Sequence, residues 1–436
     1  MYWTITVEGG PKRVNHAAVA LNNQIYSFGG YCSGEIYDGS QPVDVHVLDT
    51  EKFYRDLACI TFLNYSIYVY GMITMNLAYF TVAYSLQIKG FHHIWLQSRD
   101  GNYRWRKLLV AKDNNETIYP SASQNSWPYQ RYGHTVVEYK GKAYLWGGRN
   151  DEFGACSRMY CFDPERVTWS VIPYEGEAPP ARDGHSAVVV DNLMFIFGGF
   201  EEESQRFSQE TFAYNFKERK WYELKTTGEL PQWRDFHTAC VINKKMYIFG
   251  GRSDLNGALH SSRDFYSDIL KVLNLKTGRW ENPEVTGDCP CGRRSHRVHN
   301  NKMYIFGGYL GTENLHLNEL HEFDPETSCW RRLKPFGKGP SPRRRQCVVV
   351  VGERIFLFGG TMPSSSKKMD PVHGGLCDLS DLHVLDYAPT LKDLAASVVI
   401  RNGLSENFAD IIPNDLKHDL RMMTQPNKIT LARYDG

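Results

Sequence analysis

Hydrophobic residues along this chain come in short, β-prone runs separated by polar turns, and the same order of runs returns six times. One copy reads RYGHTVVEYKGKAYLWGGRND, from Arg131 to Asp151. Two β-rich runs flank a polar turn and end at a Gly-Gly pair, which is typical of a β-hairpin. A third run follows and ends in Asp or Asn, as in MYCFD at residues 159–163 and TFAYN at 211–215. In four copies a tryptophan stands six residues further on: Trp169, Trp221, Trp280 and Trp330. The pattern predicts repeated units of four strands.

The spacing inside the units is regular. In five copies an arginine stands three residues before a histidine: Arg13/His16, Arg131/His134, Arg182/His185, Arg234/His237 and Arg293/His296. The sixth copy has Arg343 and Gln346. One four-stranded sheet cannot bury both of its faces, whereas six sheets packed face to face around an axis can do so. The last unit lacks a fourth strand, and we expect WTITV, with Trp3, to supply it and close the ring.

A period near fifty residues, with Gly-Gly pairs and a spaced tryptophan, resembles the kelch repeat. The resemblance implies an all-β fold, a six-bladed kelch β-propeller over residues 1–388. In such a ring the first strand of each unit lies nearest the central channel. Repetition in every unit favours a structural role for the Arg and His of the R-x-x-H segments, which would satisfy backbone carbonyls and bridge neighbouring blades.

Charge and cysteine content exclude several functions. Lys and Arg total 50 and Asp and Glu total 49, so no direct nucleic-acid partner is expected. The start, MYWTITVEGG, has no secretory pattern, and the ten cysteines show no paired CxxC spacing, which favours cytoplasm or nucleus. Cys289-Pro-Cys291 is interpreted as a turn. Because no nucleophile, phosphate-loop or metal motif is present, we predict no catalytic residue, metal or cofactor. A copper oxidase remains an alternative, although no repeat-breaking Tyr/His set points to one.

One segment departs from the repeat. Between Asp49 and Trp105 the first unit carries about fifty extra residues, approximately 55–103, with an uncharged run at 57–88. The run is long enough for a transmembrane helix. However, a single crossing would place two strands that must pair on opposite sides of a bilayer, so we expect no membrane partner. A translated intron or gene-model error is favoured, and a genuine insertion or a membrane anchor remains open.

Candidate ligand-binding residues are those that break the repeat near the channel. Arg149 and Arg252 directly follow Gly-Gly pairs, and the last two units have Arg293-Arg294-Ser295 and Arg343-Arg344-Arg345. Clustered guanidinium groups suit a carboxylate, because each donates two parallel hydrogen bonds. Three aromatic residues beside these arginines are expected to wall the pocket: Trp233, Phe236 and Tyr132. An electrostatic rim without a specific ligand is the alternative.

Residues 389–436 predict two short helices. Leu391, Leu394, Ala395, Val398 and Val399 form one helical stripe, and Ile412-Pro413 opens a second helix with Leu416 and Leu420 four residues apart. The tail resembles the adaptor-binding tail of cullin-2 ubiquitin ligase receptors. Its elongin C motif would comprise Thr390, Leu391, Ala395 and Val398, with Ala395 in place of the usual cysteine. Its cullin motif would comprise Ile412, Pro413 and Leu416.

The chain apart from the extra segment is similar to the kelch-repeat substrate receptors of cullin-2 RING ubiquitin ligases. Runs such as GGPKRVNHAAVA, WGGRND, WRDFH and SDLHVLD carry the resemblance. It implies capture of a protein C-terminus that ends in glycine, with the carboxylate held by Arg252, Arg294 and Ser295. Gly257 stands where such receptors have a second arginine, so Arg149, Arg234 or Arg345 are alternatives. The implied partners are elongin B/C, cullin-2 and its RING subunit.

Two function classes follow from these interpretations. The first is a non-catalytic receptor that presents C-terminal degrons for ubiquitin-dependent degradation. The second is a kelch scaffold for cytoskeletal or chromatin proteins without a ligase role.

Overall fold

The fold was analysed in a computed structural model. It describes residues 1–35, 41–50, 103–112, 127–261, 263–293, 302–364, 375–404, 411–412 and 414–432. The long uncharged run at 57–88 therefore lies outside the described residues. Among those that are described, no helix combines the length and apolar character needed to cross a membrane.

The described strands form six antiparallel sheets that follow one another along the chain. Each gains a short parallel strand or bridge at its outer edge, and we number the sheets as blades 1 to 6. Blade 1 contains Ala17–Leu21, Gln24–Phe28, Val45–Asp49, Trp105–Leu108 and Thr430–Ala432. Blade 2 contains Tyr132–Tyr139, Lys142–Asn150, Met159–Asp163, Thr168–Ile172, Ala111–Lys112 and the side strand Gly154–Ala155. Blade 3 contains Ser186–Val190, Leu193–Phe197, Thr211–Asn215, Lys220–Leu224 and Glu175–Gly176.

The remaining blades repeat this order. Blade 4 contains Thr238–Ile242, Lys245–Phe249, Lys271–Asn274, Arg279–Glu281 and Thr227–Gly228. Blade 5 contains Met303–Leu310, Leu315–Asp324, Cys329–Leu333 and Thr286–Gly287, and residues 294–301, where its first strand is expected, lie outside the described part of the chain. Blade 6 contains Cys347–Val351, Arg354–Phe358, Leu382–Asp386 and Tyr2–Val7.

Small hairpins project from the blades, and one 3-10 turn connects two neighbouring strands of blade 5. The hairpin strands are Arg182–Asp183, Phe200–Glu201 and Arg206–Phe207; Ser253–Asp254 and Asp264–Phe265; and Thr361–Pro363 and Leu376–Asp378. The 3-10 turn spans Gly311–Glu313. Two helices follow blade 6, α1 over Leu391–Arg401 and α2 over Asn414–Thr424.

Tryptophans join each blade to the one before it. The repeat tryptophan contacts the aromatic residue that precedes the Gly-Gly pair of the preceding blade, with ring centroids 4.8–5.9 Å apart. The pairs are Trp105/Phe358, Trp169/Phe28, Trp221/Trp146, Trp280/Phe197, Trp330/Phe249 and Trp3/Phe306. These tryptophans are buried and fill the space between neighbouring sheets. Aromatic contacts of this kind add to the free energy gained from burying the rings.

The ring closes between the first and last residues of the propeller. Tyr2–Val7 pairs antiparallel with Leu382–Asp386, so the N-terminal segment is the fourth strand of blade 6, as predicted. The Gly360 N–H then donates to the Arg13 carbonyl at 3.0 Å, which joins blade 6 to blade 1. The all-β propeller with a short helical tail is confirmed.

The two strands that flank the extra segment in the sequence belong to the same blade. Val45–Asp49 pairs antiparallel with Trp105–Leu108, with Leu48 opposite Trp105. The third and fourth strands of blade 1 therefore lie side by side, although about fifty residues separate them in the sequence. This pairing confirms the topological premise used against a single membrane crossing.

Candidate functional site

The third residue of each R-x-x-H segment lies at the mouth of the central channel. The described members line one pocket and are called the mouth ring: Asn15, Gly133, Gly184, Phe236 and Arg345. All five have positive φ angles, between 49° and 68°. Ser295, the expected sixth member, lies outside the described residues.

Backbone hydrogen bonds run around the mouth ring. The Asn15 N–H donates to the Arg345 carbonyl at 3.2 Å, and the Gly133 N–H donates to the Asn15 carbonyl at 3.0 Å. Gly184 and Phe236 each donate to the preceding member in the same way, at 2.9 and 2.7 Å. The left-handed backbone at these positions aims each N–H at the neighbouring blade, which explains the glycines and the asparagine in the ring.

Phe236 and Arg345 adopt this left-handed backbone without the freedom of glycine. A side chain there is uncommon and costs roughly 1–3 kcal/mol. Residues in such conformations concentrate at ligand-binding sites. The two positions are therefore candidates for function rather than for stability.

The repeat arginines have a structural role. In blades 2 to 6, Nη1 donates to the carbonyl of the first glycine of the Gly-Gly pair at 2.8–3.3 Å. Nε donates to the carbonyl two residues earlier, at 3.0–3.2 Å. Arg234 is 1% exposed and makes both contacts. The structure therefore does not favour Arg234 as a carboxylate-binding residue, because its guanidinium is buried inside a blade.

The repeat histidines connect neighbouring blades. His185 Nε2 lies 2.8 Å from the Thr135 hydroxyl, and His237 Nε2 lies 2.7 Å from the Ser186 hydroxyl. Burial, followed by the charge of Arg182, lowers the pKa of His185 well below its ordinary value. A neutral, buried, hydrogen-bonded imidazole belongs to the framework, as the repetition predicts.

Arg252 is held in an ion pair beside the mouth ring. Its Nε and Nη2 donate to the two carboxylate oxygens of Asp235, the former at 3.1 Å. Burial alone would lower the pKa of Arg252, but the charge and hydrogen bonds of Asp235 raise it. Asp235 is fully buried. Arg252 is therefore already bound to a carboxylate of its own chain, and an incoming carboxylate would have to compete with Asp235.

Arg149 is paired as well. Its Nη2 lies 3.4 Å from Glu202 Oε1, and both side chains are 30% exposed. Glu202 Oε2 also accepts the Ala155 N–H. Arg149 keeps more contact with solvent than Arg252 does. Arg294, the remaining predicted arginine, lies outside the described residues.

Arg345 differs from the other described candidates because its hydrogen-bond partner is neutral. Its Nη1 donates to the Tyr31 hydroxyl at 2.5 Å, and its guanidinium lies 5.9 Å from the Tyr31 ring centroid. Within the described part of the chain no carboxylate pairs with it. Among the described residues, Arg345 thus presents a positive charge in the mouth ring that no ion pair neutralises.

The predicted aromatic walls are partly assembled. Phe236 lines the channel, and Tyr132 packs edge-on against Tyr31 with centroids 5.4 Å apart. The Tyr132 hydroxyl donates to Asp151 at 2.8 Å, and burial together with this bond raises the Tyr132 pKa. Trp233 is half-buried and is not among the channel-lining residues. The structure also places a further aromatic residue, Tyr31, beside Arg345, and the sequence analysis did not identify it.

Asp183 is a second residue that the sequence analysis missed. It is 7% exposed, and a Cβ built on Gly133 would lie 3.0 Å from its Oδ2, so its carboxyl group adjoins the mouth ring. Burial, followed by the charge of Asp235, raises the Asp183 pKa to about 7, although Arg149 and Arg252 oppose this. The repeated R-D-x-H of blades 3 and 4 was the signal that could have identified it.

Replacing Asp183 by Asn should change how stability depends on pH. Because the folded pKa is about 7 and the ordinary pKa about 3.9, the folded state retains a proton that the unfolded state loses between these values. The contribution of Asp183 to stability is therefore present below pH 4 and is lost as pH rises to 7. At pH 7.5 we expect the free energy of unfolding of Asp183→Asn to exceed that of the wild type by about 1–3 kcal/mol.

Urea unfolding at pH 4, 5.5 and 7.5 measures this difference. Asp191→Asn is the control, because the Asp191 side chain is 68% exposed in a surface pair with Lys244. A difference between Asp183→Asn and the wild type that stays constant across these pH values would contradict the prediction.

The helical tail presents one apolar face to solvent. Leu391 is 83% exposed and Val398 is 52% exposed, and Ala395 on the same face is also exposed. On the opposite face Asp393 and Ala396 are buried. Thr390 caps the helix, because its hydroxyl accepts the Asp393 N–H at 3.2 Å. Helix α1 is therefore fixed on one side and open on the other.

Helix α2 packs on the seam between blade 6 and blade 1. Leu420 and Met423 are buried in a cluster with Val7 and Trp105. Ile412 and Leu416 pack against the same cluster. The predicted contact of these two residues with a cullin is not supported, because their side chains face the propeller, whereas Ile411 is 77% exposed. Pro413 lies outside the described residues.

The repeat geometry and the channel define a kelch-repeat propeller, a protein-interaction scaffold. The profile of the KLHDC2/KLHL20/DRC7 Kelch-repeats domain matches residues 133–360, and the Kelch motif matches residues 12–52. The chain therefore belongs to the kelch-repeat family.

Individual relatives agree with this assignment. The chain is 37% identical to human Kelch domain-containing protein 3 over 430 residues, which cover 98% of this chain and 97% of the relative. The Bos taurus protein of the same name is 38% identical over the same shares. Identity to the Drosophila melanogaster leucine-zipper-like transcriptional regulator 1 homolog is 33% over 252 residues, covering 54% of this chain and 24% of that protein.

Proposed function

We propose that this protein is a substrate receptor of a cullin-2–elongin B/C ubiquitin ligase. Its propeller would bind protein C-termini ending in glycine, and its tail would bind the adaptor. The observation that carries the proposal is the exposed apolar face of α1, formed by Leu391, Ala395 and Val398. These residues occupy the positions of the elongin C motif, and their side chains are not buried against the part of the propeller that the structure describes.

Helix α1 is held firmly enough to act as a docking element. Lys392 Nζ lies 2.6 Å from Asp419 of α2, and α2 in turn packs on the seam. An amphipathic helix with an unpaired apolar stripe is one of the recurring means of protein recognition. The cullin contact is proposed for the exposed side that carries Ile411 rather than for the half-buried Ile412 and Leu416.

At the channel, Arg345 is the proposed carboxylate-binding residue. A charge-assisted hydrogen bond contributes roughly 1.5–3 kcal/mol, and a terminal glycine approaches closely because it has no Cβ. Arg149 remains a candidate at the half-exposed rim, and Arg252 is proposed to orient the mouth through Asp235. Arg294 and Ser295 stay predictions from the family resemblance.

Arg345→Asn should weaken binding of a peptide with a free C-terminal glycine by 10-fold or more, because the positive charge is lost. Asn tolerates a left-handed backbone, so the fold should be unaffected. Binding is measured by fluorescence polarisation with free and amidated versions of peptides from a C-terminal library. Arg219→Asn is the matched control, since Arg219 also has a positive φ, 55°, and is exposed outside the channel.

The wild type should prefer the free acid over the amide, and Arg345→Asn should abolish that preference. Equal binding of acid and amide by the wild type would count against a C-terminal receptor. It would favour the coarser function, a kelch scaffold that binds internal epitopes. Co-purification of elongin C with the full chain measures the adaptor half separately.

A further inference from the structure

Four of the junctions between blades share a backbone contact that we call a clasp. After the outer strand of one blade, a glycine pairs in parallel with the outer strand of the next, as Gly228 does with Trp280. A Cβ on that glycine would lie 2.2–2.5 Å from the carbonyl oxygen of the tryptophan, so glycine is required. The glycine and tryptophan pairs are Gly176/Trp221, Gly228/Trp280, Gly287/Trp330 and Gly337/Trp3.

The junction between blade 6 and blade 1 is built differently. Gly9 is the equivalent glycine, with φ 85°, but a Cβ on it would lie 2.1 Å from the Asn427 carbonyl oxygen rather than against Trp105. The Asn427 N–H donates to the Glu8 carbonyl at 2.6 Å. Residues 427–432 thus lie between Gly9 and the outer strand of blade 1.

The C-terminal segment also takes the parallel pairing that the clasp glycine makes elsewhere. Thr430, Leu431 and Ala432 pair with Arg106, Lys107 and Leu108 in sequence. Arg104 Nη1 donates to the carbonyls of Gln425 and Pro426 at 3.2 and 3.0 Å. Asn427 is 6% exposed. The segment is therefore integrated into blade 1 along its length.

The spacing of residues in the sequence explains why the outer strand of blade 1 is available to pair with this segment. Each of the four clasp glycines stands six residues before the repeat arginine of the next blade, as Gly228 does before Arg234. Gly9 stands only four residues before Arg13. The linker at this junction is two residues shorter, and Gly9 does not pair with the Trp105 strand.

We propose that residues 425–432, the closing segment, bind in this seam as the clasp of the ring and thereby position α1 and α2. The helices are then tethered at both ends, to blade 6 through Asp386 and to blade 1 through Asn427. The clasp is independent of the proposed function. Only its consequence, a fixed orientation of the α1 face toward an adaptor, depends on the ligase role.

Amide hydrogen exchange of the full chain carrying Gly9→Ala tests the clasp. The added methyl would collide with Asn427, so exchange in Trp105–Leu108 and in both helices should become at least 10-fold faster. Gly34→Ala is the matched control, because Gly34 has φ 84° and nothing lies within 4 Å of its Cβ position. It imposes the same backbone strain without the collision, and helix exchange should stay at the wild-type rate.

A second pair of variants tests the proposal independently, in case Gly9→Ala does not fold. Asn427→Pro removes the N–H that donates to Glu8, whereas Asn427→Ala retains it. Faster helix exchange in Asn427→Pro than in Asn427→Ala supports the proposal. Equal exchange within each matched pair would overturn it. Elongin C binding by the wild type is measured separately, and its absence would remove the ligase role while leaving the exchange result intact.

Discussion

Leu391→Ser is expected to abolish detectable elongin C binding while leaving the propeller folded. Leu391 is 83% exposed, so the substitution removes an apolar side chain that is not buried among the described residues. Burying a leucine in a partner is worth about 1.5–3 kcal/mol, which corresponds to a loss of about 10- to 150-fold in affinity. At the centre of an interface such residues often contribute more. The free energy of unfolding should change by less than about 0.5 kcal/mol.

Isothermal titration with purified elongin B/C, alongside thermal unfolding, separates these two effects. Leu255→Ser is the matched control, because Leu255 is 66% exposed on a propeller loop. It should bind elongin C as the wild type does. Binding that survives in Leu391→Ser would remove α1 as the adaptor site and leave the chain a kelch scaffold.

Arg343→Met should lower the free energy of unfolding by about 3–5 kcal/mol, the range for breaking a buried ion pair. Arg343 is fully buried, and its guanidinium contacts both oxygens of Asp381 at 2.6 and 2.7 Å. It also donates to the Gly359 and Ser341 carbonyls. The variant would leave Asp381 buried without its arginine partner, and two carbonyls would lose the hydrogen bonds that Arg343 donates.

Urea unfolding monitored by tryptophan fluorescence measures the loss. Arg331→Met is the control, since the Arg331 side chain is 56% exposed and its partners Glu322 and Asp324 both keep an ion pair with Lys302. Surface pairs contribute less than about 1 kcal/mol. Similar midpoints for the two variants would show that Arg343 is not part of the framework.

The three consecutive arginines of blade 6 show where sequence reasoning ends. Arg343 is buried inside the blade, Arg344 lies 4.0 Å from the Tyr309 ring centroid, and Arg345 faces the channel. The repeat indicated that Arg343 has a structural role, because every unit has an arginine there. It did not separate Arg344 from Arg345, since their directions depend on the left-handed backbone at Arg345.

The sequence identified the arginines near the channel, but it showed only partly which of their guanidinium groups are available to bind a ligand. Arg252 is paired with Asp235, which is also a neighbour of the repeat arginine in sequence. Whether a guanidinium is free depends on carboxylates that reach it through folding, and such partners cannot be read from spacing. The same reason applies to Tyr31, which lies more than three hundred residues from Arg345 and contacts it across the ring closure.

The amino-acid sequence was sufficient to predict the ring: its six units, the N-terminal strand in blade 6 and the two tail helices. These features are periodic or local, so hydrophobic spacing and turn residues specify them. The three-dimensional structure was needed to show which arginine faces the channel without a carboxylate partner among the described residues. It was also needed to show that Ile412 faces inward and that Asn427 and Thr430–Ala432 return to blade 1. Those outcomes depend on contacts between residues distant in sequence, whose pairing is set by which surfaces the closed ring brings together.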